Sequence, residues 1–330
     1  MYYNRILMIK FAVIGTSGAS LSHLRGLQKS NYAECKYIYS RNIDRARKLA
    51  KKFNLIPTDD YNIILDDSTV EALTITTEPS RHANLAIKAL DFGKHILIEK
   101  PIDSDIQRAR KLLEAEKSIN SSLVVSVISQ YRFDPIILKM KKQLEIGAID
   151  SPFLCEVKMI WNKTDEYYSA GNGWRKKYGN VLLNQGIHLI DLVVWFFGYP
   201  MEIESQTYKV NQNIDCFDTA IVKLKYSDNM YVDMVFSTAF LYSEPFQFNI
   251  YGPKGKLNYR NEIHDRFNLS SNIQVINNVL NKILNRQEPP IFLQIEDFIH
   301  SIIHKSPPAV SLSEAYDVLN VVKECEKDFL

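Results

Sequence analysis

The chain has 330 residues, of which 46% are hydrophobic, 24% charged and 11% aromatic, fractions that exclude a mainly disordered or fibrous protein. Forty lysines and arginines against 38 aspartates and glutamates leave a net charge of +2, too even to mark nucleic acid or an anionic membrane surface as the main partner. The length suits two domains, each able to bury its own core. Cys35, Cys155, Cys216 and Cys325 lie far apart, which argues against a disulfide framework or structural zinc and for a reducing, cytoplasmic location. The longest strongly apolar run, Leu192 to Phe197, is too short to span a membrane, and no basic-then-apolar signal design opens the sequence.

In chain order, Met8 precedes a first strand that ends at Gly15, so residues 1–7 are expected outside the fold. Phe11 to Ile14 is a predicted strand, and Leu21 to Gln28 begins a helix. Further strands are predicted over Cys35–Tyr39, Glu71–Thr76, His95–Ile98 and Leu123–Ile128. Between them run helical patterns through Ala46 and Phe53, through Ala83 and Leu90, and through Ile106 and Leu113. Strands this uniformly apolar have no wet face, so the alternation implies a parallel sheet covered by helices.

After Gln130 the pattern changes. A helix is predicted from Pro135 to Ile146, a strand from Val157 to Trp161, a polar and aromatic loop from Asn162 to Asn180, and an apolar helix from Val181 to Phe197. From Thr219 the period is two: Ala220, Val222, Leu224 and Tyr226 share one face, with Lys223 and Lys225 on the other. A return strand passes through Val232 and Val235, and a second hairpin is read around Gly252 and Gly255. Helices Phe292–Ile303 and Ser313–Phe329 close the chain, the latter capped by Ser311 or Ser313. The expected architecture is α/β: a Rossmann-type domain over residues 1–122, then an α+β domain over 123–330 with an open, mainly antiparallel sheet.

Four clusters bear chemistry. Gly15-Thr16-Ser17-Gly18-Ala19-Ser20 lies between the first strand and helix, where a dinucleotide pyrophosphate needs a tight turn and free N–H groups. Ser17 and Ser20 replace the second and third glycines of the usual pattern; their hydroxyls are small and able to donate to phosphate. The second strand ends in Tyr39-Ser40-Arg41 rather than an acid, which favours a 2′-phosphate on Ser40 and Arg41, and so NADP over NAD. Glu99-Lys100-Pro101 ends the fourth predicted strand, where ligands of open α/β sheets bind. Asn184, His188 and Asp191 recur at helical spacing inside an apolar helix, where each polar group needs a partner.

Together these motifs resemble the Gfo/Idh/MocA family of sugar and polyol oxidoreductases. The resemblance extends over Ala12-Val13-Ile14-Gly15 with His23, Ser40-Arg41-Asn42, Thr77-Glu78-Pro79-Ser80-Arg81-His82, Glu99-Lys100-Pro101, Tyr131-Arg132, Trp174-Arg175, Gly186-Ile187-His188 and Asp218-Thr219-Ala220. It implies hydride transfer between nicotinamide C4 of NAD(P) and a secondary hydroxyl or ketone of a sugar, sugar nucleotide or related polyol. It implies that Lys100 hydrogen-bonds the reacting hydroxyl, His188 acts as general base and Asn184 orients substrate or imidazole. The cofactor would touch Gly15, Thr16, Ser17, Gly18, Ala19, Ser40, Arg41, Thr76, Thr77, Pro79, His82, Glu99, Lys100, Trp174 and Arg175. Arg132 and Tyr168 would join Lys100, Asn184 and His188 around the substrate. Many relatives carry aspartate where this chain has Asn184, which turns the resemblance toward members acting on nucleotide-linked sugars. It also implies a homodimer or homotetramer formed through the C-terminal sheet.

Two other readings share these residues: an NAD(P)- and sugar-binding sensor without turnover, and a glycosidase that uses tightly bound NAD. Glu296, His300 and His304 have metal-ligand spacing but flank an apolar stripe, so a solvated helix edge is expected and no metal. Tyr167 and Tyr168 with Trp174 are read either as a stacking platform or as aromatics that order the loop.

Overall fold

A computed structural model describes residues 8–119, 122–170, 173–260 and 288–327. The chain divides into two compact units, Met1–Phe133 with Pro289–Tyr316, and Asp134–Glu288 with Asp317–Leu330. The N-terminal extension and the end of the last predicted helix, Phe329, lie outside the described residues.

The first unit is built on six parallel strands: β1 (Ile9–Ile14), β2 (Ala33–Tyr39), β3 (Ile56–Thr58), β4 (Ala72–Ile75), β5 (His95–Ile98) and β6 (Val125–Val127). Their order is β3-β2-β1-β4-β5-β6, so the winding reverses between β1 and β4. In such sheets ligands bind at that reversal, beyond the carboxyl ends of the strands. Helices α1 (Gly18–Lys29), α2 (Ile43–Phe53), α3 (Tyr61–Asp66), α4 (His82–Asp91) and α5 (Ile106–Ser118) form the connections. Asn42, Asp60 and Asp105 cap three of them by accepting first-turn N–H groups, as the side chains of N-cap residues do.

One helix of this unit comes from far along the chain. Helix Pro290–His304 returns to pack on α1: Phe298 meets the Phe11 ring edge-on at 6.2 Å, and Ile295 fills the space a side chain on Gly26 would need. Buried Gln294 ties it to the sheet, donating to the Val127 carbonyl at 2.8 Å and accepting the Ser129 N–H at 2.8 Å. Both halves of that amide are thereby satisfied in a position where an unmade hydrogen bond is costly. The unit boundary after Phe133 therefore differs from the expected one at 122, because β6 pairs with β5 and the sequence just after it is held by this returning helix.

The second unit is a six-stranded sheet ordered β12-β11-β7-β10-β9-β8. Its strands are β7 (Leu154–Ile160), β8 (Glu202–Tyr208), β9 (Thr219–Ser227), β10 (Met230–Ser237), β11 (Gln247–Gly252) and β12 (Gly255–Arg260). All pairings are antiparallel except β10 with β7. On the inner face Val157, Val222, Leu224, Val232, Met234, Phe236 and Phe248 are buried. Helix Ile187–Phe197 covers that face, with Phe196 edge-on to Phe248 at 5.4 Å. The other face alternates charge and exposed apolar groups, with Asp233 opposite Lys223 and Val235 opposite Ile221.

Three local readings are corrected. The apolar helix expected from Val181 is a π-helical turn over Leu182–Gly186 followed by the α-helix Ile187–Phe197. Because a π turn adds a residue to the helical repeat, Asn184 and His188 do not stand in simple α-helical succession. The stretch read as loop from Asn162 to Asn180 contains two one-turn helices, Asp165–Ser169 and Trp174–Tyr178. Two strands have no counterpart in the sequence reading. Edge strand β3 contains Pro57, and edge strand β8 is mostly polar, so neither presents the apolar run expected of a strand.

Candidate functional site

In the first unit the candidate residues gather at the carboxyl ends of β1, β2, β4 and β5. Gly15 leaves β1 with φ of +126°, and a Cβ there would lie 2.7 Å from Thr76 Oγ1 and 2.8 Å from its backbone, so only glycine fits. The Thr76 N–H donates to Ile14 O at 2.8 Å and the Gly15 N–H to Tyr39 O at 2.9 Å, which holds the turn to both neighbouring strands. Ser17 and Ser20 also turn toward β4: Ser17 Oγ donates to Thr76 O at 2.9 Å, and Ser20 Oγ lies 2.8 Å from Thr76 Oγ1. Ser17 is the N-cap residue of α1 but makes no side-chain cap. The hydroxyls expected to face phosphate thus brace the loop, while the first-turn N–H groups of a twelve-residue helix are left uncapped. A Cβ on Gly18 would meet nothing within 4 Å. An uncapped helix start behind a tight glycine turn fits a dinucleotide pyrophosphate.

At the end of β2, Ser40 Oγ accepts the Asn42 N–H at 3.2 Å and lies 3.5 Å from Thr16 Oγ1. Exposed Arg41 reaches across to the segment after β4 and pairs with Glu78 at 2.6 Å. His82, buried at the start of α4, has its ring nitrogens 2.8 Å from Pro101 O and 3.0 Å from Thr77 O, tying the segments after β4 and β5 together. Pro79 is buried beside it, and Ala19 is half-buried in the first turn of α1.

Lys100 follows β5, and the Lys100–Pro101 peptide bond is cis. The Glu99 carboxylate accepts the Lys100 N–H at 3.2 Å through Oε2 and lies 3.1 Å from buried His23 Nε2 through Oε1. Burial pushes the Glu99 carboxyl up. The His23 hydrogen bond and the charges of His23, Lys100 and His82 outweigh that, so it is held below the usual carboxylate range.

In the second unit, Asn180 opens the helical segment by accepting the Leu183 N–H at 2.9 Å. The π turn that follows carries Asn184 and Gln185, and both side-chain amides donate to the Tyr167 hydroxyl at 2.6 Å. Burial pushes the Tyr167 phenol up, against hydrogen bonds from Gln185, Arg175 and Asn184. The Arg175 guanidinium lies 5.0 Å from the Tyr167 ring centre and 4.9 Å from that of Trp174. His188 is half-buried one residue into the α-helix, and Asp191 is buried. Lys100 belongs to the first unit and His188 to the second.

Two residues read as substrate contacts are buried against protein partners. Tyr168 is 4% exposed, and its hydroxyl lies 2.8 Å from Thr238 Oγ1. Its neighbour Tyr167 is the residue that meets Asn184, a choice between adjacent tyrosines that spacing alone does not make. Arg132 is 3% exposed and clamps Glu314 at 2.7 Å. Among the described residues no three His, Cys, Asp or Glu side chains form a group able to hold a metal ion. The His300 and His304 rings lie with centres 4.0 Å apart, tilted by 40°. Burial pushes the Cys35 and Cys216 thiols up to about 12 and about 11, which leaves both un-ionised near neutrality.

The reversal of winding, the glycine turn and the uncapped α1 define a dinucleotide-binding Rossmann unit. Residues 9–127 match the model described as oxidoreductase family, NAD-binding Rossmann fold, and residues 137–258 match the GFO/IDH/MocA C-terminal domain. The chain belongs to the Gfo/Idh/MocA oxidoreductase family.

Among curated relatives, it is 25% identical to the scyllo-inositol 2-dehydrogenase (NADP(+)) IolU of Bacillus subtilis over 65% of this chain and 66% of that one. It is 27% identical to the glucose-6-phosphate 3-dehydrogenase of the same organism over 63% of this chain and 59% of that one. It therefore spans somewhat less than two thirds of these two relatives' length. The WlbA dehydrogenase of Bordetella pertussis, solved with NADH and UDP-GlcNAcA, superposes with a TM-score of 0.84 at 19% identity, covering 98% of this chain and 96% of that one. The myo-inositol 2-dehydrogenase of Lactobacillus plantarum gives 0.81 at 18% identity, covering 97% and 96%.

Proposed function

We propose that the protein is an NAD(P)-dependent dehydrogenase or reductase acting on a secondary hydroxyl or ketone of a sugar, polyol or sugar nucleotide, with NADP preferred. The observation that carries this reading is Lys100 at the carboxyl end of β5, on the same sheet edge as Gly15 and Arg41. The bound nicotinamide supplies the hydride acceptor or donor.

The chain's own residues divide the remaining work. The uncapped N–H groups of α1 hold the pyrophosphate, and Arg41 with Ser40 takes the 2′-phosphate. Thr76, Thr77 and Pro79 line the riboside, and Trp174 with Arg175 covers the cofactor. Lys100 donates to the reacting oxygen and stabilises the charge that develops there. His188 takes the hydroxyl proton in oxidation and returns it in reduction. Asn184, fixed by Tyr167, orients a substrate hydroxyl.

The relatives act on inositols and a sugar phosphate, and a structural neighbour was solved with a nucleotide sugar. The amide at position 184 leads us to place this chain's substrate among sugars and nucleotide-linked sugars. The outer face of the second sheet, where Ile221 and Val235 stand exposed among charges, is the surface through which we propose dimers or tetramers form in the cytoplasm.

The test is turnover of NADP with scyllo-inositol, myo-inositol, glucose 6-phosphate and UDP-GlcNAcA, followed by nicotinamide absorbance in wild type and Lys100→Ala. Turnover that Lys100→Ala abolishes, with NADPH affinity kept, supports the reading. Wild-type binding without any hydride transfer points to the sensor instead, and cofactor that copurifies and never exchanges points to the glycosidase.

A further inference from the structure

We infer that His23 is a positioning residue for hydride transfer: from the cofactor helix α1 it fixes the Glu99 carboxylate, which in turn fixes Lys100. The inference rests on the proposed role of Lys100.

His23 is fully buried on the inner side of α1, between Ser20 and the apolar Leu24 and Leu27. A leucine would fill that space without burying an imidazole, and burying a polar ring costs free energy unless it is hydrogen-bonded. Its Nδ1 has no hydrogen-bond partner among the described residues, so the ring's polar contact is the one between Nε2 and Glu99 Oε1 at 3.1 Å. A carboxylate only accepts, so Nε2 carries the hydrogen and donates it.

Glu99 is 13% exposed at its side chain, and its second oxygen accepts the Lys100 N–H at 3.2 Å. The carboxylate is thus gripped from α1 on one side and from the lysine's own backbone on the other. The charges of Lys100 and His23 in turn hold the Glu99 carboxyl in its ionised, accepting form. α1 begins at the Gly15–Ser20 turn, so the helix that seats the pyrophosphate also sets the lysine.

The experiment uses the full-length protein as wild type, His23→Leu, His23→Gln, Glu99→Gln and Lys100→Ala. NADPH affinity is read by fluorescence titration, folding by thermal denaturation, and Lys100 basicity by pH-dependent labelling with trinitrobenzenesulfonate, quantified on the Lys100 peptide. The labelling needs no substrate. Loss of the neighbouring anion in Glu99→Gln should lower the pH of half-labelling by about one unit. His23→Leu should move it the same way by less, and His23→Gln, which can still donate, should restore it. With NADP and whichever of glucose 6-phosphate, UDP-GlcNAcA, scyllo-inositol and myo-inositol the wild type oxidises, kcat should fall about tenfold or more in His23→Leu while KM and NADPH affinity stay within about threefold.

Unchanged Lys100 labelling and kcat in both His23→Leu and Glu99→Gln overturns the inference, as does a loss confined to thermal stability. If His23→Leu does not fold, Glu99→Gln and His23→Gln decide by the same labelling shift. Wild-type turnover in Lys100→Ala would instead overturn the role of Lys100 itself, whereas an inactive Lys100→Ala beside a fully active His23→Leu overturns only the positioning role.

Discussion

The side-chain amide of Asn184 donates to the hydroxyl of Tyr167 at 2.6 Å, and Gln185 donates to the same oxygen at the same distance. One phenol oxygen therefore fixes two consecutive amides of a π turn, an arrangement that a regular α-helix would not present in the same directions.

Tyr167→Phe leaves both amides without that acceptor while keeping the ring. It should lower kcat/KM about fivefold, since an orienting hydrogen bond to a neutral group is worth about 1 kcal/mol. Steady-state kinetics beside a thermal melt check this. A melt shifted by many degrees with unchanged kinetics would make Tyr167 a purely structural residue.

Gly15→Ala forces a Cβ to within 2.7 Å of Thr76 at a φ of +126°. The turn must open, at a cost of about 1–3 kcal/mol for the strained backbone and more for the clash. Loss of NADPH affinity together with a lower melting temperature is expected by titration and calorimetry. Wild-type affinity would show that the turn does not seat the cofactor.

Arg41→Ala should weaken NADPH binding about tenfold or more and NADH binding by less, because a charge-assisted contact to a 2′-phosphate is lost only with the former. Arg41 already pairs with Glu78 at 2.6 Å, so its guanidinium is oriented toward the segment after β4. Equal losses for the two cofactors would remove the 2′-phosphate role.

A pH dependence of folding follows from Asp67. Lys36 Nζ at 2.6 Å, with Thr69 and Tyr37, holds this carboxyl well below its ordinary value of 3.8. A group depressed in the folded state stabilises fully above its unfolded value and loses that stabilisation as pH falls through the folded one. Wild type should therefore lose stability below about pH 4 more steeply than Asp67→Asn in urea titrations at stepped pH. Parallel curves would show that the cluster contributes nothing to acid sensitivity.

The first sheet was legible because its strands are short, apolar and separated by helical patterns; only β3, a three-residue edge strand with Pro57 at its centre, escaped. The hairpin of β9 and β10 was legible from alternation alone, since Ala220, Val222 and Leu224 are buried while Lys223 is exposed. β8 was not, because Glu202–Tyr208 alternates between exposed and half-buried side chains and has no apolar face to show. Nor does a local pattern announce that Phe298 packs on Phe11 or that Gln294 bonds Val127, contacts that join opposite ends of the sequence. Residue types and spacing were enough to put Gly15, Arg41 and Lys100 just past the ends of strands, where β1, β2 and β5 end. The direction in which Ser17, Tyr168 and Arg132 point depends on tertiary partners, namely Thr76, Thr238 and Glu314.

The central proposal is that Lys100, at the carboxyl end of β5, serves the reacting carbon. It is tested most directly by a crystal structure of the full-length protein with NADPH bound, reading the distance from nicotinamide C4 to Lys100 Nζ. The expected result places Nζ within hydrogen-bond reach of an oxygen held over C4. A Lys100 side chain turned away from the nicotinamide, beyond reach of such an oxygen, would contradict the proposal.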